Sequence, residues 1–451
     1  MTDRDLERQV AAACAEILSR TPEDRPKPTL DRIQAAVDLL GDPQRACKVI
    51  HVAGTNGKTS TARIAESLIR AHGLRTGQFT SPHLRSLGER IAIDGQPIAP
   101  AAFLDAYSQV APVAQLVDQR SQDQGGPPMS FFEVLTALAL TAFADAPVDV
   151  AIVEVGLGGT WDATNVVDST VQVVTPIARD HEQWLGASLE QIAAEKAGII
   201  RSRAVIGRQR PEPAAVLQRA LIERDAVGYW LGEDFDVTAR GLAVGGQVVR
   251  LRGLAGHYEE VLLPLFGAHQ ADNAALAVAA AELLLSDADY PLPAAAYLEG
   301  LETATSPGRL ELVGRGPTVL VDAAHNVAGA QALAEAVEEA FPIGLIGVVG
   351  MLADKDAEGF LGVLEPVLDQ VVVTRSTSPR AVQPAALGAV AREVFGPDRV
   401  EVQERLDDAL ARAIELAGCD TPQAPGELAT GVLATGSVTI AAEARTLLRA
   451  G

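Results

Sequence analysis

With 451 residues, 48% of them hydrophobic, the chain is long enough to bury two or three cores, which excludes a small scaffold held by staples. Lys and Arg number 37 against 59 Asp and Glu, and the net charge of −22 argues against a general polyanion-binding surface for nucleic acid or an anionic membrane. Any anionic ligand must therefore be held by a local cluster and a metal.

Cys14, Cys47 and Cys419 are odd in number, far apart and in no metal-ligand spacing, so reduced thiols are expected. The first eight residues, Met1 to Arg8, mix acids with bases and lack a secretory apolar run. No stretch reaches the ~18 charge-free residues of a membrane span. The expectation is a soluble cytoplasmic protein.

Taken in chain order, the first strong element is an apolar strand at Val49–Val52, which runs into Gly54-Thr55-Asn56-Gly57-Lys58-Thr59-Ser60 and then a helix. Loop glycines let backbone N–H groups surround phosphate oxygens, Lys58 adds a point charge, and the Thr59 hydroxyl is suited to Mg²⁺. An ordinary Walker A loop would place its first glycine at Val52, so this G-x-x-G-K-T loop is tighter. Further on, Ser121–Pro128 reads as a breaker-rich loop. Strands follow at Val148–Val155 and Val171–Ile177. The first of these brings Glu154 to its end, where a carboxylate reaches a metal beside Thr59. Between Thr175 and Ile200 lie Asp180-His181 and Glu195-Lys196. Each is weak evidence alone, but with Glu154 they supply the extra ligands that a second phosphate-bridging metal needs.

These strands are apolar on both faces and separated by helical patterns, which predicts a mostly parallel sheet covered on both sides. Ser306-Pro307-Gly308 breaks the chain, and the pattern then restarts with short strands at Thr318–Val321, Leu345–Val349, Val371–Thr374, Val400–Val402 and Gly431–Ala434. The expected architecture is therefore α/β: a P-loop domain over 1–305 and a second, smaller Rossmann-like α/β domain over 306–451. Polar clusters gather at the carboxyl ends of the later strands, at Asp322-Ala-Ala-His325-Asn326, Asp354-Lys355-Asp356, Thr377-Ser-Pro-Arg380 and Thr435-Gly-Ser437, where open sheets bind ligands.

The blocks His51–Ser60, Phe79–Leu84, Glu154–Gly159, Asp162–Asn165, Asp180-His181, Glu195–Ile199, Pro307–Arg309 and Asp322–Asn326 together resemble folylpolyglutamate synthase, some of whose members are also dihydrofolate synthases, within the Mur ligase superfamily. The resemblance spans about Leu30 to Ser437. It implies ATP-dependent amide formation, in which a pteroate or folate carboxylate is phosphorylated and L-glutamate then displaces phosphate. By the same resemblance, Thr59, Ser81 (through its hydroxyl) and Glu154 would serve a first Mg²⁺, His181 would help to hold a second, and Lys196 occupies a position that can be carbamylated. Asn273 would contact the nucleotide, Arg309 and Asp322 would reach phosphate and ribose, and His325 and Ser437 would face the incoming glutamate. Phe132, Asp162 and Ala163 match pterin-contacting elements, and members of the family are usually monomers.

Duller roles stand beside these: Asn273 or Ser437 as helix caps, Arg309 as a surface ion-pair partner, Phe132 as core. Two other functions compete. A Mur-type ligase of peptidoglycan precursors would need a uridine-binding domain ahead of the P-loop, for which little chain precedes Gly54. A P-loop nucleotide switch would leave Asp322 and His325 unexplained. A ligand held between two domains also implies closure about Ser306–Gly308.

Overall fold

The computed structural model describes residues 3–22, 28–286, 293–419 and 430–450. Met1 and Thr2 lie outside them, as does the side chain of Cys419. The chain builds a mixed α/β architecture with two open sheets and a small antiparallel one.

The first sheet has eight strands: β1 (Lys48–Ala53), β2 (Thr76–Phe79), β3 (Ile91–Ile93), β4 (Gln96–Pro97), β5 (Val150–Glu154), β6 (Val171–Val174), β7 (Arg203–Ile206) and β8 (Val227–Trp230). Their order is β4-β3-β2-β5-β1-β6-β7-β8, parallel from β2 to β8, with β3 and β4 antiparallel at one edge. The apolar run of β1 needs cover on both faces, and it lies in the interior of the sheet between β5 and β6. Its alternation divides two cores. Ile50 and Val52 pack with the helices Lys58–Ala71 and Ala268–Ser286, while Val49 faces the core of helix Phe131–Asp145. Neighbours on opposite sides of β1 make its carboxyl end a switch point, where a crevice opens.

Three elements are shorter than expected. The strand expected at Val148–Val155 is β5, Val150–Glu154. β6 stops at Val174 because Pro176 has no N–H to give the ladder, and residues 121–123 complete the helix Pro100–Asp123, so the breaker loop begins at Gln124.

An antiparallel hairpin sheet, β9 (Asp236–Ala243), β10 (Gly246–Arg252) and β11 (His257–Leu263), was not expected. Its inward residues Val249, Leu251, Val261 and Leu263 join the core of helix Ala268–Ser286, whereas its outer face is exposed, and so the sequence lacks a continuous apolar run.

The second sheet runs β12-β13-β17-β14-β15-β16, from β12 (Glu311–Arg315), β13 (Thr318–Val321), β14 (Gly344–Val349), β15 (Gln370–Val373), β16 (Val400–Val402) and β17 (Thr430–Thr435). Five strands are parallel and β12 is an antiparallel edge. The five expected strands are present; β12 escaped notice because it is a half-exposed edge strand whose two apolar side chains are adjacent and followed by glycine. No helix among the described residues is long and apolar enough to cross a membrane. Cys14 and Cys47 are free thiols, and burial pushes Cys47 up to about 11.

His51 is a buried polar residue in the middle of the first sheet. Its Nε2 meets Thr164 Oγ1 at 2.8 Å, its Nδ1 has no partner among the described residues, and burial lowers its pKa to about 3, with Arg201 adding to the shift. The unfolded chain protonates this ring below about 6.5 while the folded one does not, so stability is lost as pH falls below that value, by about 1.4 kcal/mol per pH unit. Denaturant unfolding of His51→Gln between pH 6.5 and 4 is expected to show a shallower acid slope than the parent by about that amount.

Candidate active site

Gly54 and Gly57 take positive φ values of 140° and 89° at the end of β1, a region open to glycine. A Cβ on Gly54 would lie 1.9 Å from Thr175 Oγ1, and one on Gly57 would lie 2.4 Å from Asn273 Oδ1. The loop is therefore clamped between the end of β6 and the helix Ala268–Ser286. The amides of Thr55 and Asn56 donate to the Pro176 carbonyl, so these two N–H groups are fastened to the fold while their residues line the cavity. The free N–H groups are those of Gly57 to Ser60, left unbonded because the first helical bond is Thr61 N–H to Gly57 O. Those four, with the positive end of the helix dipole, form the anion cradle. Lys58 Nζ rests on the Thr55 carbonyl at 3.1 Å, and burial depresses its pKa while Glu154 and Asp180 oppose the shift.

Beside the cradle, Thr59 Oγ1 donates to Glu154 at 2.9 and 3.1 Å to its two oxygens, and the Ser81 amide donates to Glu154 Oε2 at 3.2 Å. Glu154 is 1% exposed, and burial raises its pKa against the pull of Lys58. Ser81 also meets this pair through its backbone carbonyl, 3.5 Å from Thr59 Oγ1. A hydroxyl, a carboxylate and a carbonyl are hard oxygen donors of the kind Mg²⁺ prefers, and they converge on one point. Among the described residues no three His, Cys, Asp or Glu cluster as a self-sufficient metal site.

Asp180 joins the two sheets. It accepts from Asn326 Nδ2 at 2.9 Å, pairs with His325 Nε2 at 3.3 Å and with the buried Lys355 ammonium, all three from the second sheet's loops. Burial alone would raise its pKa, but the hydrogen bond from His325 and the charges of His181, His325 and Lys355 hold it well below the usual carboxylate range. Asn326 also exchanges two side-chain hydrogen bonds with Asn56 of the P-loop, at 3.1 and 3.2 Å, while its Oδ1 caps the helix Val327–Ala340 through Gly329 N–H. Ser60 turns away from the cradle to meet Ser306 Oγ at 2.9 Å, tying the P-loop helix to the interdomain link.

The remaining expected residues line the same cavity, of about 500 Å³, with mixed assignments. Lys196 is 4% exposed, and burial followed by the charge of Lys58 brings it down to about 7. His181 is in the left-handed region at φ 52° and is lowered to about 4, by burial first. Asp162 accepts from the Leu157 and Thr164 amides and is raised by burial to about 6, so its carboxylate shapes the loop that presents Ala163. Phe132 is both core and wall: its ring stacks 5.6 Å from Phe79 and fills the space a side chain at Gly156 would need.

Asn273 lies within its helix and does not cap it. It bonds Thr61 and Gln270 and backs Gly57. Asp322 gives both oxygens to the amides of Leu310 and Ala324, 2.7 Å each, fixing the link to the end of β13. Arg309 faces the cavity and forms no ion pair among the described residues, against the surface-pair alternative. Ser437 does cap the final helix, accepting from Ile440 N–H at 3.1 Å, and lines the cavity as well. Sequence reasoning placed Asn326 and Lys355 in the polar clusters at the carboxyl ends of β13 and β14 but gave neither an individual role.

The family model described as Mur ligase, glutamate ligase domain, matches residues 308–437. A dihydrofolate synthase/folylpolyglutamate synthase of Mycobacterium tuberculosis is 50% identical over 446 residues, covering 95% of this chain and 91% of the relative. The chain belongs to this family. A folylpolyglutamate synthase of Lacticaseibacillus casei is 33% identical, with 93% and 94% of the two chains covered. Among solved structures, Mycobacterium tuberculosis folylpolyglutamate synthase complexed with ADP superposes with a TM-score of 0.92 at 48% identity, covering 97% of this chain and 99% of that one. An FPGS–AMPPCP–folate complex superposes at 0.83 with 31% identity, covering 97% of this chain and 99% of that one.

Removing the Asp180 carboxylate would leave the buried Lys355 with only the more distant Asp354 carboxylate at 3.6 Å, a loss of about 2–3 kcal/mol. A denaturant cycle of Asp180→Ala, Lys355→Met and the double variant is expected to show a coupling above about 1 kcal/mol.

Proposed function

We propose that this chain joins L-glutamate to the carboxylate of a pteroate or folate, using ATP and an acyl phosphate. The single observation that carries the reading is the convergence of the N–H cradle at Gly57–Ser60, Lys58 and the Thr59–Glu154–Ser81 oxygens with His325, Lys355 and Ser437 in one interdomain cavity. Members of the family named dihydrofolate synthase/folylpolyglutamate synthase supply the substrate classes.

In the first step the acceptor carboxylate oxygen attacks the γ-phosphorus, the bond to the bridging oxygen breaks, and ADP leaves. Two anions must approach, and Lys58 with the four cradle amides offsets the charge that shifts between them. Mg²⁺ held by Thr59, Glu154 and Ser81 supplies further charge neutralisation when bound. In the second step the uncharged amine of glutamate attacks the acyl carbon, phosphate departs, and the amine proton is lost. His325, Ser437 and Lys355 receive the glutamate; the residues 306–451 act as its carrier. Phe132 and Ala163 form the pterin wall.

Lys196 and His181 are the pair for a second cation. With its pKa lowered to about 7, Lys196 is about half amine near neutrality and can add CO₂, releasing a proton, to become a carbamate; this also removes its repulsion with Lys58. His181, held neutral, keeps a lone pair for a metal. A carbamate carbon resonance from ¹³C-bicarbonate is expected to strengthen as pH rises from 6 to 8 and to vanish in Lys196→Met.

ADP release should require L-glutamate together with a pterin-linked carboxylate, dihydropteroate or tetrahydrofolate, and should stop on chelation of Mg²⁺. Lys58→Ala is expected to lower kcat by about 10²–10³. Hydrolysis indifferent to glutamate and to both pterins would sink the reading.

A further inference from the structure

A second groove opens where the main cavity ends. Its walls come from both sheets: Arg85 in the loop after β2, Arg375 and Thr377 after β15, Arg405 before the helix Leu406–Cys419, and Arg449 on the final helix. Groove and cavity share Ser378, and they abut along two further segments: His83 lines the cavity while Arg85 lines the groove, and Thr439 lines the cavity while Ala442 lines the groove. A ligand leaving the cleft past Ser378 therefore enters the groove.

Four arginines converge here in a chain of net charge −22. The acids that also line the groove are partly engaged: Glu443 accepts from the Thr377 amide and hydroxyl, and Asp407 pairs with Arg405. Arg449 is held by Glu311 at 2.7 Å, and Arg375 by the neutral amide oxygen of Gln383 at 2.8 Å, with Glu404 no nearer than 3.9 Å. Arg85 is exposed and forms no ion pair among the described residues. Arg85 and Arg375 are thus the cations with capacity for a new anion.

We propose that this groove binds the γ-linked oligoglutamate tail of an acceptor that already carries several glutamates, with Arg85 and Arg375 pairing its α-carboxylates. The inference rests on the ligase reading of the cleft. Each addition lengthens the acceptor by one unit and one free α-carboxylate, while the reacting γ-carboxylate must still reach the same point beside Lys58 and Thr59. The cavity does not lengthen with it, so surplus units leave the cleft, and each carries a negative charge that the acidic surface elsewhere repels. Guanidinium groups at the exit match carboxylates in shape and charge, and a flexible chain of such groups suits several pairs better than one deep pocket.

The test compares KM for monoglutamyl and triglutamyl tetrahydrofolate in the full-length enzyme and in Arg85→Ala and Arg375→Ala. The ratio of triglutamyl to monoglutamyl KM is expected to rise about tenfold in each variant. As a probe free of pterin, γ-linked tetraglutamate should inhibit use of the triglutamyl substrate by the parent enzyme and lose that effect in Arg85→Glu. Unchanged ratios with equal inhibition of parent and variant would overturn the tail site and leave the ligase reading standing. Turnover of dihydropteroate with neither tetrahydrofolate substrate used would overturn the tail site alone, and failure of the parent enzyme with all three acceptors would overturn both.

Discussion

Asp180 is where the two sheets become one site. It leaves the first sheet after β6, yet the Lys355 ammonium, the Asn326 amide and the His325 ring that it binds all come from loops of the second. A carboxylate buried to this degree is stable as an anion only when cations and hydrogen-bond donors surround it, and here they are carried by the other half of the molecule. The mutual bonds of Asn56 and Asn326 extend the seam to the P-loop itself, and the Ser60–Ser306 contact extends it to the link. Asn56 and Ser60 therefore serve both the phosphate loop and the seam between the sheets.

The electrostatics of the cavity follow from that enclosure. Lys58 and Lys196 are pushed down by burial and, for Lys196, by Lys58 as well, while Glu154 is pushed up. In a chain of net charge −22 the positive charge of the cavity is local, centred on Lys58 and the cradle amides, and is not a diffuse attractive field. The cradle of amides adds charge of the same sign without any titrating group, so its strength does not vary with pH.

The glycines, lysine and threonine after β1 were legible as a phosphate loop because every one of those residue types is demanded by local geometry. The parallel strands were legible because a buried strand in such a sheet must be apolar throughout, as in Val150-Ala-Ile-Val. The hairpin sheet β9–β11 was not, since one face is solvated and its pattern resembles ordinary polar loop. Asp322 and Asp162 show the same limit inside the site: both read as ligand groups, yet their oxygens are spent on backbone amides that only the fold brings near.

Sequence alone determined the chemistry available to this protein: a phosphate loop, a carboxylate at the end of the adjoining strand, and an ordered set of blocks matching one ligase family. Tertiary structure decided which of those groups meet. Asp180 with Lys355, Asn56 with Asn326 and Ser60 with Ser306 are separated by 175, 270 and 246 residues, and no local preference encodes contacts at such range. They form because polar groups buried in the cleft need more hydrogen-bond and charge partners than their own segments supply, and the opposite sheet presents them.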